Sequence, residues 1–306
     1  MKIKEIKTKS FSWIHISKPT RKEIEYLKNK YDFHPLDLED CLVKIQRPQI
    51  SQYTNHIFFI LTFPLYDKLN KEIKSSEVDF FMSSKYLITI SDEFIPTVNN
   101  LFEETKDNNY NKEKYMSPHP VYLLYEILHR LQNYTFPILD HVSEDIENVE
   151  NKIFSGKEKE VVTEILFIKR NIVNIRKIMQ AHKNIIKKLM GTHNKFFMPD
   201  KTNIYLSNIL DKTKDIWDIL ETQKENINAF QEANDALLSH KLNEIMRILT
   251  VISVILIPAN LVASTFGMNV SFGPFLGYPG DFAKIVSVMF IILMSVVLFF
   301  KKKKWL

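Results

Sequence analysis

"ILTVISVILIPANLVASTFGMNV", Ile248–Val270, decides how the rest of the chain is read. Its first 19 residues, to Phe266, carry no charge. A helix that crosses a bilayer needs about 20 mostly apolar residues. A second such stretch, "FAKIVSVMFIILMSVVLFF", runs from Phe282 to Phe300. Its one charge, Lys284, lies near the start, from where it can snorkel to the interface. Gly267–Asp281 separates the two and holds four of the six glycines (Gly267, Gly273, Gly277, Gly280) together with Pro274 and Pro279. That density predicts an irregular connection, with Asp281 as N-cap of the second helix. The rival reading, two core helices of a soluble scaffold, fits poorly with the "KKKKWL" that follows.

The spans differ in polarity. The first carries Thr250, Ser253, Asn260, Ser264 and Thr265 with Pro258 among them, whereas the second has only Ser287 and Ser295. Polar groups at membrane depth are costly unless they face protein or water. The first helix is therefore expected to line something and the second to face lipid. Two helices cannot enclose a pore, so conduction requires several copies. Arg247 before the first span and Lys301–Lys304 after the second place both ends on the cytoplasmic side.

The net charge of +5 is local to this hairpin: six of the 41 basic and one of the 36 acidic residues lie after Met246, leaving 35 of each before it. That balance gives no basic surface for nucleic acid. Cys41 is the only cysteine, which excludes a disulfide framework and a cysteine-rich zinc site. Met1–Ile14 is charged and has no apolar segment before Phe11, unlike a secretory signal.

Between Pro199 and Pro258 lie 58 residues without Gly or Pro, about 87 Å as one helix. Ile209, Ile216, Leu220, Ile227, Phe230, Leu237, Leu238, Leu242 and Ile245 form an apolar stripe along it. A helix running unbroken into the first span would couple a cytoplasmic domain to the membrane. Val121–Phe154, with a kink expected at Pro137, and Glu160–Met190 read as two more long helices, with Gly156, Gly191 and His193 at the turns. In the first 115 residues, His56–Tyr66, Ser76–Ser84 and Tyr86–Asp92 read as strands. "TRKEIEYLKNKY", opened by Pro19 and Thr20, reads as a helix, and "HPLDLEDC" as another. The histidines and the pairs Glu39–Asp40 and Glu144–Asp145 make no close ligand cluster, and no phosphate loop, metalloprotease helix or nucleophile–base pair supports an enzyme.

Gly267-Met268-Asn269 at the outer end of the first span resembles the signature of the CorA family of magnesium transport proteins. "FHPLDLEDCLVKIQRPQISQYTNHIFFIL", Phe33–Leu61, resembles that family's N-terminal pattern, and the likeness covers essentially the whole chain. The resemblance implies an α+β cytoplasmic head with a long stalk helix and two C-terminal transmembrane helices, assembled as a homopentameric channel in the cell (inner) membrane with both termini cytoplasmic. The head would cover 1–118, its helical region 119–202, the stalk 203–247, the first span 248–266, the external loop 267–281, the second span 282–300 and a basic tail 301–306. Gly267, Met268 and Asn269 would form the external mouth. The amide of Asn269 would accept hydrogen bonds from the waters of a hydrated divalent cation, Gly267 would permit a tight turn, and Met268 would brace Asn269.

By the family register, Asn243, Met246, Leu249, Ser253, Ile257, Asn260 and Ser264 would line the pore, with Leu249 and Met246 as its hydrophobic constriction. Mg²⁺ is then substrate and regulatory ligand, with cobalt or nickel as further substrates, no resident cofactor, and Glu232 and Asp235 as candidate regulatory ligands. Two departures stand out: Phe266 replaces a common tyrosine, and Val270–Gly280 has no acidic residue where many members carry one. The readings kept open are a zinc transporter of the same superfamily and a membrane-anchored structural or signalling protein.

Overall fold

A computed structural model describes residues 2–43, 46–67, 70–92, 95–157, 159–191, 199, 202–268 and 280–303. The chain divides into two compact units, residues 1–231 and 232–306.

The first unit is built on a six-stranded sheet of order β1-β2-β6-β5-β4-β3. β4 (Ile57–Asp67) and β5 (Glu72–Met82) form its long antiparallel hairpin. β6 (Tyr86–Ser91) runs antiparallel to β5 and parallel to β2 (Ser12–Ser17). β1 (Ile3–Lys7) and β3 (Gln49–Gln52) are the antiparallel edges. Side chains alternate faces along a strand, and β4 is apolar on both. Ile57, Phe59, Leu61 and Phe63 join the cluster of α3 (Pro96–Asp107) and the start of α5 (Pro120–Phe154). Phe58 and Ile60 join that of α1 (Arg21–Lys30) and α2 (Pro35–Asp40). The sheet is thus covered on both sides. The cross-strand pairs Phe59–Phe80 and Phe58–Phe81 stack on opposite faces, with centroids 4.6 and 4.5 Å apart.

The helices exchange partners along their length. In α5, Val121 to Leu131 pack on the sheet and Ile138 to Ile153 in a helical bundle. Pro137 lies at the handover and does not end the helix. In α8 (Asn203–Phe266), Leu206 and Ile209 join the sheet cluster, and Ile216, Leu220 and Ile227 the bundle. Buried amides fix the register. Gln132 Nε2 donates to Thr213 Oγ1 at 2.8 Å, and Gln223 Nε2 to Ser143 Oγ at 2.9 Å.

The single helix expected over Glu160–Met190 is two: α6 (Val161–Met179) and α7 (His182–Met190). α6 packs in the bundle, whereas Ile185, Ile186 and Leu189 of α7 pack on the sheet. Buried His182 fastens α7 there by donating from Nε2 to the Thr62 carbonyl at 2.6 Å. The strands expected around β4–β6 and the helices α1 and α2 are present. β1, β2, β3, α3 and α4 (Asn109–Tyr115) are additions to the sequence reading. His193 lies outside the described residues.

His15, between Thr89 Oγ1 and Asn99 Oδ1 at 2.9 Å each, is also buried. Burial lowers the pKa of both His15 and His182 to about 4. An unfolded imidazole titrates near 6.5. Each folded pKa is depressed, so the stabilisation is complete above about 6.5 and is lost as pH falls towards 4. At pH 5 the loss is about 2 kcal/mol per group. Melting of the full chain at pH 7.5 and pH 5 should show a large acid-induced drop in midpoint. His182→Gln, which keeps an N–H for Thr62, should show a smaller one; equal drops would refute the assignment.

Candidate ion-conducting face

The second unit holds the C-terminal part of α8 and α9 (Asp281–Lys302). The apolar windows of these two helices are only 11% and 0% buried within the chain. Core helices of a soluble protein bury such surface. Here Leu256, Leu261, Phe290, Ile291 and Leu298 are all exposed, so the apolar surface needs lipid or further protein around it. Both helices are long and apolar enough to cross a membrane.

Asn243, Met246, Leu249, Ser253, Ile257, Asn260 and Ser264 lie on the one uninterrupted helix. At 3.6 residues per turn they fall within an arc of roughly 120°, and from first to last they span about 32 Å. That is close to the roughly 30 Å of a hydrocarbon core. Each is exposed or half-exposed, Met246, Leu249 and Ile257 at 58, 55 and 63%. One face of α8 therefore carries, in chain order, an amide, an apolar pair, a hydroxyl, a further apolar side chain, a second amide and a second hydroxyl.

The hydroxyls are less informative than their number suggests. Ser253 Oγ donates to the Leu249 carbonyl at 2.9 Å, Thr250 Oγ1 to Met246 at 2.7 Å and Thr265 Oγ1 to Leu261 at 2.8 Å. In α9, Ser287 and Ser295 do the same to Ala283 and Ile291, both at 2.8 Å. A hydroxyl bonded to the carbonyl four residues back is satisfied within its own helix and tolerates lipid. Hydroxyl content alone thus does not separate a pore helix from a peripheral one. Asn260 differs from these hydroxyls in being exposed with, among the described residues, no hydrogen bond to its amide.

α8 continues through Pro258, which removes the N–H that would bond Val254, and ends at Phe266. Gly267 N–H donates to the Ala263 carbonyl at 2.9 Å. A Cβ on Gly267 would stand 3.1 Å from that same oxygen. The glycine thus eases a tight approach at the helix end, and its backbone is not in the left-handed region. Met268 follows, 64% exposed. Asn269 and the loop to Pro279 lie outside the described residues. The cap of α9 is Gly280, with φ 98°, and Asp281 is the first helical residue, not the expected N-cap. A left-handed φ suits the residue without a Cβ, whereas an N-cap aspartate needs an extended one.

Glu232 and Asp235 are exposed, three residues apart on α8. Among the described residues no group of three His, Cys, Asp or Glu could hold a metal ion. Two other histidines have structural roles: His34 and His119 cap α2 and α5, each accepting at 3.3 Å from the backbone two residues on.

The sequence profile of the family described as CorA-like Mg²⁺ transporter protein matches residues 8–302. The cobalt/magnesium transport protein CorA of Thermotoga maritima is 27% identical over 297 residues, covering 96% of this chain and 83% of that protein. The cobalt/magnesium transport protein CorA of Methanocaldococcus jannaschii is 24% identical over 299 residues, covering 96% and 91%. The complete structure of the CorA magnesium transporter from M. jannaschii superimposes with a TM-score of 0.86 at 21% identity, over 99% of this chain and 94% of that one.

A side chain at Gly280 would have to adopt its φ of 98°. Gly280→Ala is therefore expected to destabilise the start of α9 by about 1 kcal/mol and to lower the melting midpoint in detergent. An unchanged midpoint would contradict the left-handed entry to α9.

Proposed function

This chain belongs to the CorA-like Mg²⁺ transporter family, and on that premise we propose that it is a homopentameric divalent-cation channel whose pore is lined by α8. The observation that carries the proposal is the continuous exposed face from Asn243 to Ser264, which leads to Gly267 and Met268. Mg²⁺ transport across the membrane is the activity, with Co²⁺ as a further substrate. Transport is not enzymatic: the ion enters and leaves unchanged.

The mechanism follows from the chemistry of the ion. Mg²⁺ prefers six oxygen ligands and gives up water reluctantly. A ring of Asn269 amides at the mouth would accept hydrogen bonds from those waters without stripping them. Asn260 amides would form a second neutral ring deeper in. Neutral rings hold the cation weakly enough to release it, as conduction requires. Met246 and Leu249 would close the inner end by dewetting. The driving force is electrical: an inward-negative potential of 100 mV adds about 4.6 kcal/mol for a divalent ion.

We assign both termini to the cytoplasm of a cell (inner) membrane, because Arg247 and Lys301–Lys304 flank the spans on one side. In the gating reading, cytoplasmic Mg²⁺ binds the heads best when the pore is closed and so stabilises that state. Glu232 and Asp235 would contribute ligands together with groups of another copy. The exposure of Leu237, Leu242 and Ile245 fits a stalk that packs on its copies.

Two experiments test this. In liposomes with an internal Mg²⁺ indicator and an inward-negative potential, the wild-type chain should admit Mg²⁺ and Asn269→Ala should lose about tenfold or more. Zn²⁺ entry without Mg²⁺ entry would favour the zinc branch. No flux of any divalent ion from intact oligomers would favour the anchor reading. For gating, the only cysteine, Cys41, is buried, so Leu242→Cys adds one accessible thiol. Its crosslinking between copies should differ with and without Mg²⁺; identical yields would sink the coupling.

A further inference from the structure

A partly open cavity of about 110 Å³ lies in the first unit where β6 ends beside β5. Asp79 and Glu77, two residues apart on β5, both line it. Asp79 is 3% exposed, and its Oδ1 is buried with no hydrogen-bond partner. Glu77 is half-buried and accepts the Gln46 N–H through Oε2. Two carboxylates side by side in a protein interior repel each other, and an unpaired buried charge is strongly unfavourable.

A second observation is independent of the carboxylates. Ser76 and Ser91 also line the cavity, are 5 and 3% exposed, and each has a buried hydroxyl oxygen with no partner. Buried polar atoms ordinarily have partners. Three orphan oxygens around one small void mark a place for something that accepts lone pairs. Lys18 and Asp92 line it too and are each already engaged in an interaction.

We propose that Asp79 and Glu77, with Ser76 and Ser91, hold a divalent cation of the Mg²⁺ class inside the head of a single chain. The donors are oxygens, which suit a hard cation. The neighbouring Cys41 is a thiol that donates to the Asp37 carbonyl at 3.1 Å, so it offers no thiolate for a soft metal. No three acidic, His or Cys side chains converge among the described residues. The coordination is two carboxylates completed by hydroxyls and water, the way Mg²⁺ is commonly held. The volume admits the ion with about three waters at roughly 30 Å³ each. This site is distinct from Glu232 and Asp235, needs no second copy, and does not depend on whether the protein conducts.

Equilibrium dialysis of the purified full chain against Mg²⁺ tests it, comparing wild type with Asp79→Asn. The variant should bind one Mg²⁺ fewer per chain. Without divalent cation its melting midpoint should rise, because a buried like-charge pair is gone, and Mg²⁺ should raise it less than it raises that of the wild type. Equal stoichiometry and equal Mg²⁺-dependent midpoint shifts would mean that the cavity holds water and a shared proton, which overturns the proposal. If Asp79→Asn does not melt cooperatively, wild-type crystals in Mn²⁺ decide. An anomalous peak between Asp79 and Glu77 supports the site, and its absence overturns it.

Discussion

The structure depends on one unbroken helix. α8 has 64 residues and passes through three surroundings. Its first turns close the sheet cluster, the next close the bundle, and the last present apolar surface that the described residues leave largely uncovered. Only a helix can do this. Its backbone hydrogen bonds are internal, so the main chain needs nothing from its surroundings when water gives way to hydrocarbon. Side chains alone then adapt the rod to each environment, and a stripe begun on the sheet can continue into lipid without a change of backbone. Between Ile216 and Leu249 the chain has no loop, which is what the proposed coupling of head to gate would require.

Much of this was legible in the sequence because long elements leave strong periodic signals. The spans, the absence of Gly and Pro ahead of them, and the apolar run of β4 all stand out as long runs. What escaped was short or depended on a partner. β1 and β3 are edge strands of five and four residues, too few for alternation to stand out. The break between α6 and α7 has neither Gly nor Pro at Gln180–Ala181. It exists because His182 and Ile185 must reach the sheet while Ile175 stays in the bundle, a demand set by tertiary packing. Asp281 failed as a cap because composition cannot say whether a "PGD" turn spends its left-handed position on the glycine.

At the site, the family register picked out seven residues, and the helix carries them on one face. Their meaning came from the resemblance around Gly267-Met268-Asn269; periodicity alone would have left a stripe. Counting polar residues misled in one respect, since a serine satisfied by its own helix reports nothing about what it faces. Asn260 is the better indicator. Asn99 closes its amide onto the Ile95 carbonyl four residues back, whereas the exposed Asn260 amide makes no such bond and at membrane depth would require water, ion or protein beside it. The cavity at Asp79 was not legible at all. Asp79 sits in "SEVDFFMSS" as an ordinary polar residue of an alternating strand, and only the burial of its neighbours makes its charge a problem.

The distribution of charge along the chain then follows from what each part must do with the same ion. Binding strong enough to report a concentration keeps the ion; binding weak enough to conduct must let it go. Fixed carboxylates at a mid-membrane ring would combine high affinity with low dielectric and hold a divalent cation too long. The face from Asn243 to Ser264 has none: it carries amides, hydroxyls and apolar groups, which in the proposed pore would let the ion keep its hydration shell. In the proposed channel, carboxylates would belong where release is governed by bulk concentration, as at the proposed head site and at Glu232 and Asp235.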